Sequence, residues 1–259
     1  MRNRIFVLGM LMAAAAAAQE GWSGLEDPLV PDRPDFTEGT SIVPRGHFQL
    51  EGGATVGRIE DVDTTTFGEL LVRIGAGERW EGRIGVSSYN RVETPLDSVS
   101  GFDDPAIGLK VRFTDSAGDL APGQPAAALV FETSIPGGDR ELTADEWVPA
   151  AILALDWELG LRFGLGANVG YSYAAGEEDR FHQLFASLSS GFAITDRVGS
   201  YLEWYGFLEE SEDGPSTHYV DGGVSFLINN DLQVDARVGT GLNDADPDWY
   251  VGVGAAVRF

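Results

Sequence analysis

The last eleven residues of the chain alternate strictly between two kinds of side chain. One row is apolar and comprises Trp249, Val251, Val253, Ala255, Val257 and Phe259. The other row is small or polar and comprises Tyr250, Gly252, Gly254, Ala256 and Arg258. A strand of about ten residues with one apolar face can cross a membrane as part of a closed barrel. The pattern predicts an all-β transmembrane barrel, in which the terminal Phe259 is typical of the assembly signal of bacterial outer-membrane barrels.

The amino-terminal residues are typical of a secretory signal peptide. Arg2 and Arg4 precede an apolar run at residues 5–12, and alanines at 13–18 provide a cleavage site. A membrane-anchor helix is the alternative, but the apolar stretch is shorter than the ~20 residues that a spanning helix needs. We therefore expect residues 1–18 to be a signal peptide and the mature protein to be exported.

The composition excludes several classes of protein. Cysteine is absent, so the exported chain has no disulfide framework and no thiolate chemistry. The formal net charge of −24 would repel nucleic acid, which we exclude as a partner. The acidity has two interpretations that one sequence does not separate. It is either an adaptation of all surfaces to the host's environment or an attraction of cations to the mouth of a pore.

Strand-like segments with a period of two residues repeat along the chain from His47 onward. We predict about twelve antiparallel strands of an up-and-down barrel. They are expected to begin near His47, Thr64, Trp80, Pro105, Ala126, Val148, Leu161, Phe181, Val198, Thr217, Leu232 and Trp249.

The connections between these segments alternate in character, as in outer-membrane barrels with short periplasmic turns and longer external loops. The first set is short or nearly uncharged, at residues 75–79, 115–124, 159–160, 195–197 and 229–231. The second set is acidic, at residues 58–63, 90–104, 136–146, 174–180, 209–216 and 243–248. An even strand count would place both chain ends in the periplasm.

A soluble β-sandwich is the rival fold, because its strands also alternate. The predicted strands are longer than the usual five or six residues, and one row of nearly every segment is apolar. Glycines such as Gly164 and Gly252 lie in the polar rows, where a barrel lumen accepts small residues. These features favour the membrane barrel.

The side-chain rows also predict which residues face the lumen. In the segment from Leu161 to Tyr173 the row containing Arg162 must face inward, because arginine in hydrocarbon costs roughly 2–4 kcal/mol near the midplane. The same test on other strands gives our candidates for the narrow, pore-lining region, which are Glu51, Lys110, Arg112, Glu132, Glu203, Asp235 and Arg237. Two interpretations of these charges remain open. They form either a salt-bridge lattice that stiffens the barrel or the lining of a polar conduit.

The segment before the first strand carries the most specific motif. Residues 32–53 read D-R-P-D-F-T-E-G-T-S-I-V-P-R-G-H-F-Q-L-E-G-G, and the chain closes on D-W-Y-V-G-V-G followed by R-F. Both stretches resemble the family of outer-membrane transporters named for the phenol meta-pathway (MetA-pathway) of degradation. The resemblance is specific at both ends and architectural between them. Its motif corresponds here to Asp32, Arg33, Pro34, Asp35, Phe36, Thr37 and Glu38.

The resemblance implies a role in passive passage of small molecules, with aromatic or hydrophobic compounds among them. The alternative is a structural or adhesive barrel with a closed lumen. We expect three regions, which are the signal peptide at 1–18, an N-terminal periplasmic or lumenal segment at 19–45 and the barrel at 46–259. The middle region either folds into the lumen and plugs it or only caps turns.

We predict that the protein is not an enzyme and needs no cofactor. Residues 182, 187, 189 and 190 place a histidine and serines close together in sequence, but side chains on one strand do not converge on a common point, and no G-x-S-x-G elbow is present. No loop has the spacing of a calcium site, so we predict no metal. The expected partners are outer-membrane lipid and lipopolysaccharide, the barrel assembly machinery and a small-molecule solute.

Overall fold

A computed structural model describes residues 23–117, 120–143, 145–176, 179–209, 211, 214–243 and 247–259. The predicted signal peptide at 1–18 lies outside the described residues. The described chain forms a single antiparallel sheet. Its strands are β1 (Phe48–Ile59), β2 (Val62–Gly75), β3 (Trp80–Val86), β4 (Tyr89–Glu93), β5 (Ser98–Phe102), β6 (Ala106–Arg112), β7 (Ala126–Ser134), β8 (Pro149–Glu158), β9 (Phe163–Ala175), β10 (Arg180–Ala193), β11 (Val198–Phe207), β12 (Thr217–Asn229), β13 (Leu232–Gly241) and β14 (Trp249–Arg258).

The sheet closes on itself through its first and last strands. Strand β1 pairs with β2 along one edge and with β14 along the other, so Glu51 lies opposite both Leu71 and Ala256. Every other neighbouring pair is also antiparallel. Closure removes the free sheet edges that hydrocarbon would not tolerate. The predicted all-β barrel with about twelve strands is confirmed.

Two positions in the barrel wall are each formed by two shorter strands, which is why fourteen strands make a twelve-stranded barrel. Strands β3 and β4 both pair with β2 and are separated at Ser87 and Ser88. Strands β5 and β6 are separated at residues 103–105, where Pro105 has no N–H to donate to a ladder. Asp103 bridges the two interruptions, because its carboxylate accepts hydrogen bonds from Ser88 N and Asn90 Nδ2.

A bulge in β2 lies beside the first interruption. Gly68 and Glu69 both have positive φ angles, of 114° and 41°. The register between β1 and β2 shifts at the same level, between Glu51 and Gly53. A bulge changes which face the following residues occupy. Phe67 therefore pairs with Ala54 on the outer face, while Glu69, two residues later, hydrogen-bonds to Thr55 inside the barrel.

The two ends of the barrel differ in their connections, and two of the predicted loops are replaced by strands. The short-turn end carries residues 76–79, 113–125, 159–162, 194–197 and 230–231, together with both ends of the barrel sequence. At the opposite, long-loop end, the predicted loop at 58–63 is reduced to a two-residue turn because β1 and β2 extend to it. The predicted loop at 90–104 is instead the β4–β5 hairpin.

The distribution of burial is the reverse of that in a soluble domain. The largest fully buried side chains are charged or amide-bearing and include Arg73, Lys110 and Glu203. Val169 on β9 and Val253 on β14 are instead 59% and 49% exposed on the outer face. An apolar exterior around a polar interior is the arrangement that a bilayer requires of a barrel. No helix among the described residues has the length and apolar character needed to cross a membrane.

Candidate functional site

The lumen of the barrel contains the chain's own N-terminal segment. We call residues 23–45 the lumenal segment. At the short-turn end, Leu29 N donates to the Asn230 carbonyl (2.7 Å), and Arg258 Nη2 donates to the Asp27 carbonyl (2.7 Å). The segment then crosses the lumen and returns to β1 through a turn at Gly46, which has a φ of 84°. These contacts place the described part of the segment against inward-facing residues of the barrel wall.

Asp32 binds three basic side chains of the barrel wall. Its carboxylate lies 2.6 Å from Arg83 Nη1, 2.8 Å from Lys110 Nζ and 3.2 Å from Arg73 Nη1. Burial opposes ionisation of Asp32, but the charges of Arg73, Lys110 and Arg83 outweigh it and hold the pKa of its carboxyl well below the usual range. The backbone N–H of Asp32 donates to Glu51, which also pairs with Arg73. Asp32 therefore completes a buried ion network at the β1–β6 side.

Arg33 occupies a notch made by two glycines. Its guanidinium pairs with Glu69 at 2.7 Å and with Asp235 at 3.3 Å. A Cβ atom built on Gly53 would lie 2.5 Å from Nη2 of Arg33, and one on Gly254 would overlap the same guanidinium. Only residues without a side chain leave this space. The notch explains why the polar rows of β1 and β14 contain glycine at these two positions.

Residues 35–37 reach across the lumen to the opposite wall, and we call them the tip. The backbone N–H groups of Phe36 and Thr37 donate to the two oxygens of Glu203, at 2.6 and 2.7 Å. The hydroxyl of Thr37 also bonds to Glu203 and lies 2.8 Å from Ser187 Oγ. Asp35 accepts a hydrogen bond from Ser189 Oγ at 2.9 Å, while burial and the charge of Glu203 raise its pKa.

The ring of Phe36 lies in a cage of aromatic side chains from β10 and β11. It stacks on Tyr205 with a centroid separation of 4.4 Å, and it meets Phe185 and Phe207 edge-on at 5.8 and 5.7 Å. Tyr205 in turn stacks on Tyr219 at 4.6 Å. Aromatic pairs at these separations contribute about 0.5–1.5 kcal/mol each beyond area burial. The cage therefore adds apolar contacts to the hydrogen bonds that hold the tip.

After the tip, the segment returns along the wall through polar contacts. Asn168 binds the backbone of Glu38 twice, accepting from its N–H at 2.7 Å and donating to its carbonyl at 2.9 Å. The Glu38 carboxylate pairs with Arg83 at 2.6 Å and with Lys110 at 3.1 Å. Thr40 donates to Asp156 from both its N–H and its hydroxyl. The tip is thus flanked on both sides by anchored residues.

Five of the seven predicted pore-lining residues contact the lumenal segment. Glu51, Lys110 and Glu203 do so as described, Asp235 pairs with Arg33, and Arg237 Nη1 donates to the Pro34 carbonyl at 3.0 Å. Glu132 lines a cavity beside the tip, and Arg112 lies near the short-turn end with Nη1 3.1 Å from Ser116 Oγ. Whether these side chains line a conducting pore stays a prediction. The motif residues Pro34 and Phe36 contribute a carbonyl and a ring, respectively.

Several residues that hold the segment were not among the sequence candidates. They include Glu69, Arg73, Glu81, Arg83, Asn168, Ser187 and Ser189. The charged ones lie in the predicted inward rows. The alternation of side chains along a strand therefore identifies the face that each residue occupies but not its partners. The serines and Asn168 lie in rows of small residues that carry no recognisable signal of binding.

Cavities lie on both sides of the tip. Towards the long-loop end, a cavity of about 420 Å³, the outer chamber, is lined by Asp35, Phe36 and Glu132, and a second of about 310 Å³ is lined by Phe36, Tyr205 and Asp221. Towards the short-turn end lie cavities of about 340 and 480 Å³, the inner chambers, both lined by Asp35 and Glu158. Asp35 therefore borders cavities on both sides, and the tip separates them.

The notch makes Gly254→Ala a selective test of how Arg33 is held. The new methyl group would overlap the guanidinium, so Arg33 must leave Glu69 and Asp235. We expect the free energy that holds the lumenal segment in place to fall by about 1–3 kcal/mol, as for overpacking elsewhere. Hydrogen exchange of residues 32–38 in detergent micelles measures the loss. Gly191→Ala is the matched lumen-facing control, because its Cβ would meet no atom within 4 Å. Equal protection in both variants would contradict the role of the notch.

The fold and its apolar exterior define the class of protein, which is a transmembrane β-barrel of the bacterial outer membrane, in contact with lipid. A family model described as "Putative MetA-pathway of phenol degradation" matches residues 31–259. The chain belongs to this family, and the resemblance seen in the sequence is confirmed. The matched range includes the D-R-P-D-F-T-E motif. The residues of this motif bind the barrel wall from inside the lumen.

Solved structures of outer-membrane barrels resemble this chain in fold. A KdgM porin superposes with a TM-score of 0.54 at 7% identity, covering 82% of this chain and 99% of that one. The translocator domain of the autotransporter NalP from Neisseria meningitidis superposes with a TM-score of 0.49 at 10% identity, covering 82% and 88%. Comparison with curated protein sequences gives no significant match. At such low identity the likeness to the porin extends to the fold alone.

Proposed function

We propose that the protein is an outer-membrane channel for the passive passage of small molecules, closed by the tip of its lumenal segment. The observation that carries the proposal is the position of Asp35. This one residue borders the outer chamber and both inner chambers, so displacement of residues 35–37 would join cavities on the two sides of the lumen.

The two sides of the lumen support a limited movement of the tip. At the β1–β6 side, Arg73, Arg83 and Lys110 are buried in ion pairs with Asp32 and Glu38. At the β9–β10 side the wall presents small residues such as Gly164 and Gly191, which line the cavities. A solute would therefore pass along β9 and β10 while the ion pairs keep the segment attached.

Aromatic or hydrophobic solutes fit the outer chamber. Phe36, Phe185 and Phe207 line it together with polar groups such as Gln183 and Ser172. Binding sites for small molecules commonly combine apolar rings with a few polar groups. A ring that entered the cage would compete with Phe36 and favour the displaced tip.

A structural or adhesive barrel with a closed lumen is the second candidate, and the extensive bonding of the lumenal segment favours it. Planar bilayers and liposome swelling separate the two candidates. A channel conducts and admits a panel of sugars, ions and aromatic compounds, at least in variants that displace the tip. A permanently closed barrel gives neither conductance nor swelling in the wild type or in those variants. A channel role also implies that the protein is not an enzyme, which stays a prediction.

The proposal includes two partners, one during assembly of the barrel and one afterwards. Phe259 stacks on Phe48 at 4.7 Å and exchanges backbone hydrogen bonds with it, so the last residue joins the first strand. We propose that Phe259 is presented to the barrel assembly machinery before this closure forms. The long-loop end would contact lipopolysaccharide in the outer leaflet.

A further inference from the structure

We infer that the route past the tip is a charge filter, which admits small organic cations in preference to carboxylates of the same size. This inference rests on the proposed channel and names its solute class. The cavities on the two sides of the tip are lined by six carboxylate residues and three arginines. The carboxylates are Asp35, Glu38, Glu132, Asp156, Glu158 and Asp221, and the arginines are Arg112, Arg162 and Arg237.

Five of the six carboxylates form no salt bridge with a described residue, and two of these five, Glu132 and Glu158, lie on opposite sides of the tip. Glu132 faces the outer chamber and Glu158 faces both inner chambers. Neither forms a salt bridge with any residue that the structure describes. They flank the tip, one on each side, so a solute that crosses it leaves one unpaired negative charge and meets the other.

Asp221 offers a further carboxylate oxygen to a cationic solute. It is 4% exposed and lines the second outer cavity beside the stacked rings of Tyr205 and Tyr219. Its Oδ2 accepts a hydrogen bond from Tyr250, but its buried Oδ1 has no hydrogen-bond partner in the described part of the chain. An unpaired buried carboxylate oxygen next to aromatic faces suits an ammonium group, which binds both.

The basic residues on the route are partly engaged by the protein itself, although the buried Nε atoms of Arg112 and Arg237 have no hydrogen-bond partner among the described residues. Arg237 donates to the Pro34 carbonyl and to Thr55 Oγ1, and it lies 3.6 Å from Glu69. Arg112 binds Ser116, and Arg162 donates to the Ile194 carbonyl, so both are directed to the turns of the short-turn end. Other basic residues of the lumen, such as Lys110, are buried in the ion network.

Benzylammonium and benzoate are suitable probes because they share a ring and differ in charge. We expect proteoliposomes containing the wild type, or the Phe36→Ala variant if the wild type is closed, to admit benzylammonium at least about threefold faster. A unit charge about 7 Å away in a water-filled lumen has an effect of this size. The double substitution Glu132→Gln and Glu158→Gln should reduce the preference while flux continues, because Asp221 remains.

The control removes the same charge from the external loops. Glu60 and Glu141 are exposed at the long-loop end, and Glu60→Gln with Glu141→Gln should leave the preference unchanged. Equal flux of both probes overturns the filter and leaves the channel intact. Absence of flux in every variant overturns the channel and the filter with it. A preference that is lost in the loop variant overturns the lumenal filter.

Discussion

Replacement of Asp32 by asparagine is expected to unseat the lumenal segment. The carboxylate is contacted by Arg73, Arg83 and Lys110, and each of these side chains is at most 4% exposed. Removal of one partner from a buried ion network costs about 3–5 kcal/mol, because the remaining charges stay buried without compensation. Glu51, Glu81 and Glu38 still balance the three cations in formal charge, so we expect the lower end of that range.

Limited proteolysis and hydrogen exchange of residues 23–45 in the reconstituted protein measure the release. We expect the Asp32→Asn variant to be cleaved within this segment while the barrel stays intact. Asp27→Asn is the matched control, because Asp27 is an exposed residue of the same segment whose described contact is made by its backbone carbonyl. If both variants are equally protected, the ion network does not hold the segment.

A second substitution distinguishes loss of the network from general damage. Lys110→Met removes one of the three cations that contact Asp32, and in Asp32→Asn this cation keeps only Glu38 as an anionic partner among the described residues. Replacement of a whole buried ion pair by apolar groups is often close to neutral. The double variant should therefore recover part of the protection that Asp32→Asn loses. A double variant that is less protected than Asp32→Asn alone would contradict this account.

The fold was predictable because a barrel in a bilayer imposes a period of two on every strand. Val251, Val253 and Arg258 alone place the last strand with its apolar row towards lipid. The irregular part of the wall was not predictable in the same way. The bulge at Gly68 and Glu69 changes the facing of residues within one strand, and no count of alternating residues detects it.

The pairing inside the lumen was the least predictable feature. Thr37 and Glu203 are 166 positions apart in the sequence, and Asp32 and Lys110 are 78 apart. The alternation along each strand places their side chains in one lumen. Their partners depend on which distant strands barrel closure brings together around a segment that has no regular structure. The D-R-P-D-F-T-E motif marked the segment as specific without indicating which walls it binds.

Replacement of Phe36 by alanine is expected to open the lumen without unseating the segment. The ring fills the cage of Tyr205, Phe185 and Phe207, and removal of a packed phenylalanine ring costs about 3–5 kcal/mol. The residues on either side of the tip keep their ion pairs, so Asp32 and Glu38 should still hold the segment in the barrel. If the closed position of the tip is destabilised by about 3 kcal/mol relative to the open one, the fraction of open molecules increases about a hundredfold.

Single-channel conductance in planar bilayers measures the opening, and proteolysis of residues 23–45 reports whether the segment stays in place. We expect Phe36→Ala to raise the open probability while the segment remains protected, in contrast to Asp32→Asn. Phe131→Ala is the matched control, because Phe131 lies on the lipid-facing side of β7 and is 48% exposed. If Phe36→Ala leaves the conductance at the level of Phe131→Ala, the tip is not the barrier between the chambers. If it instead exposes the segment to protease, the aromatic cage is an anchor of the segment and the tip does not move independently.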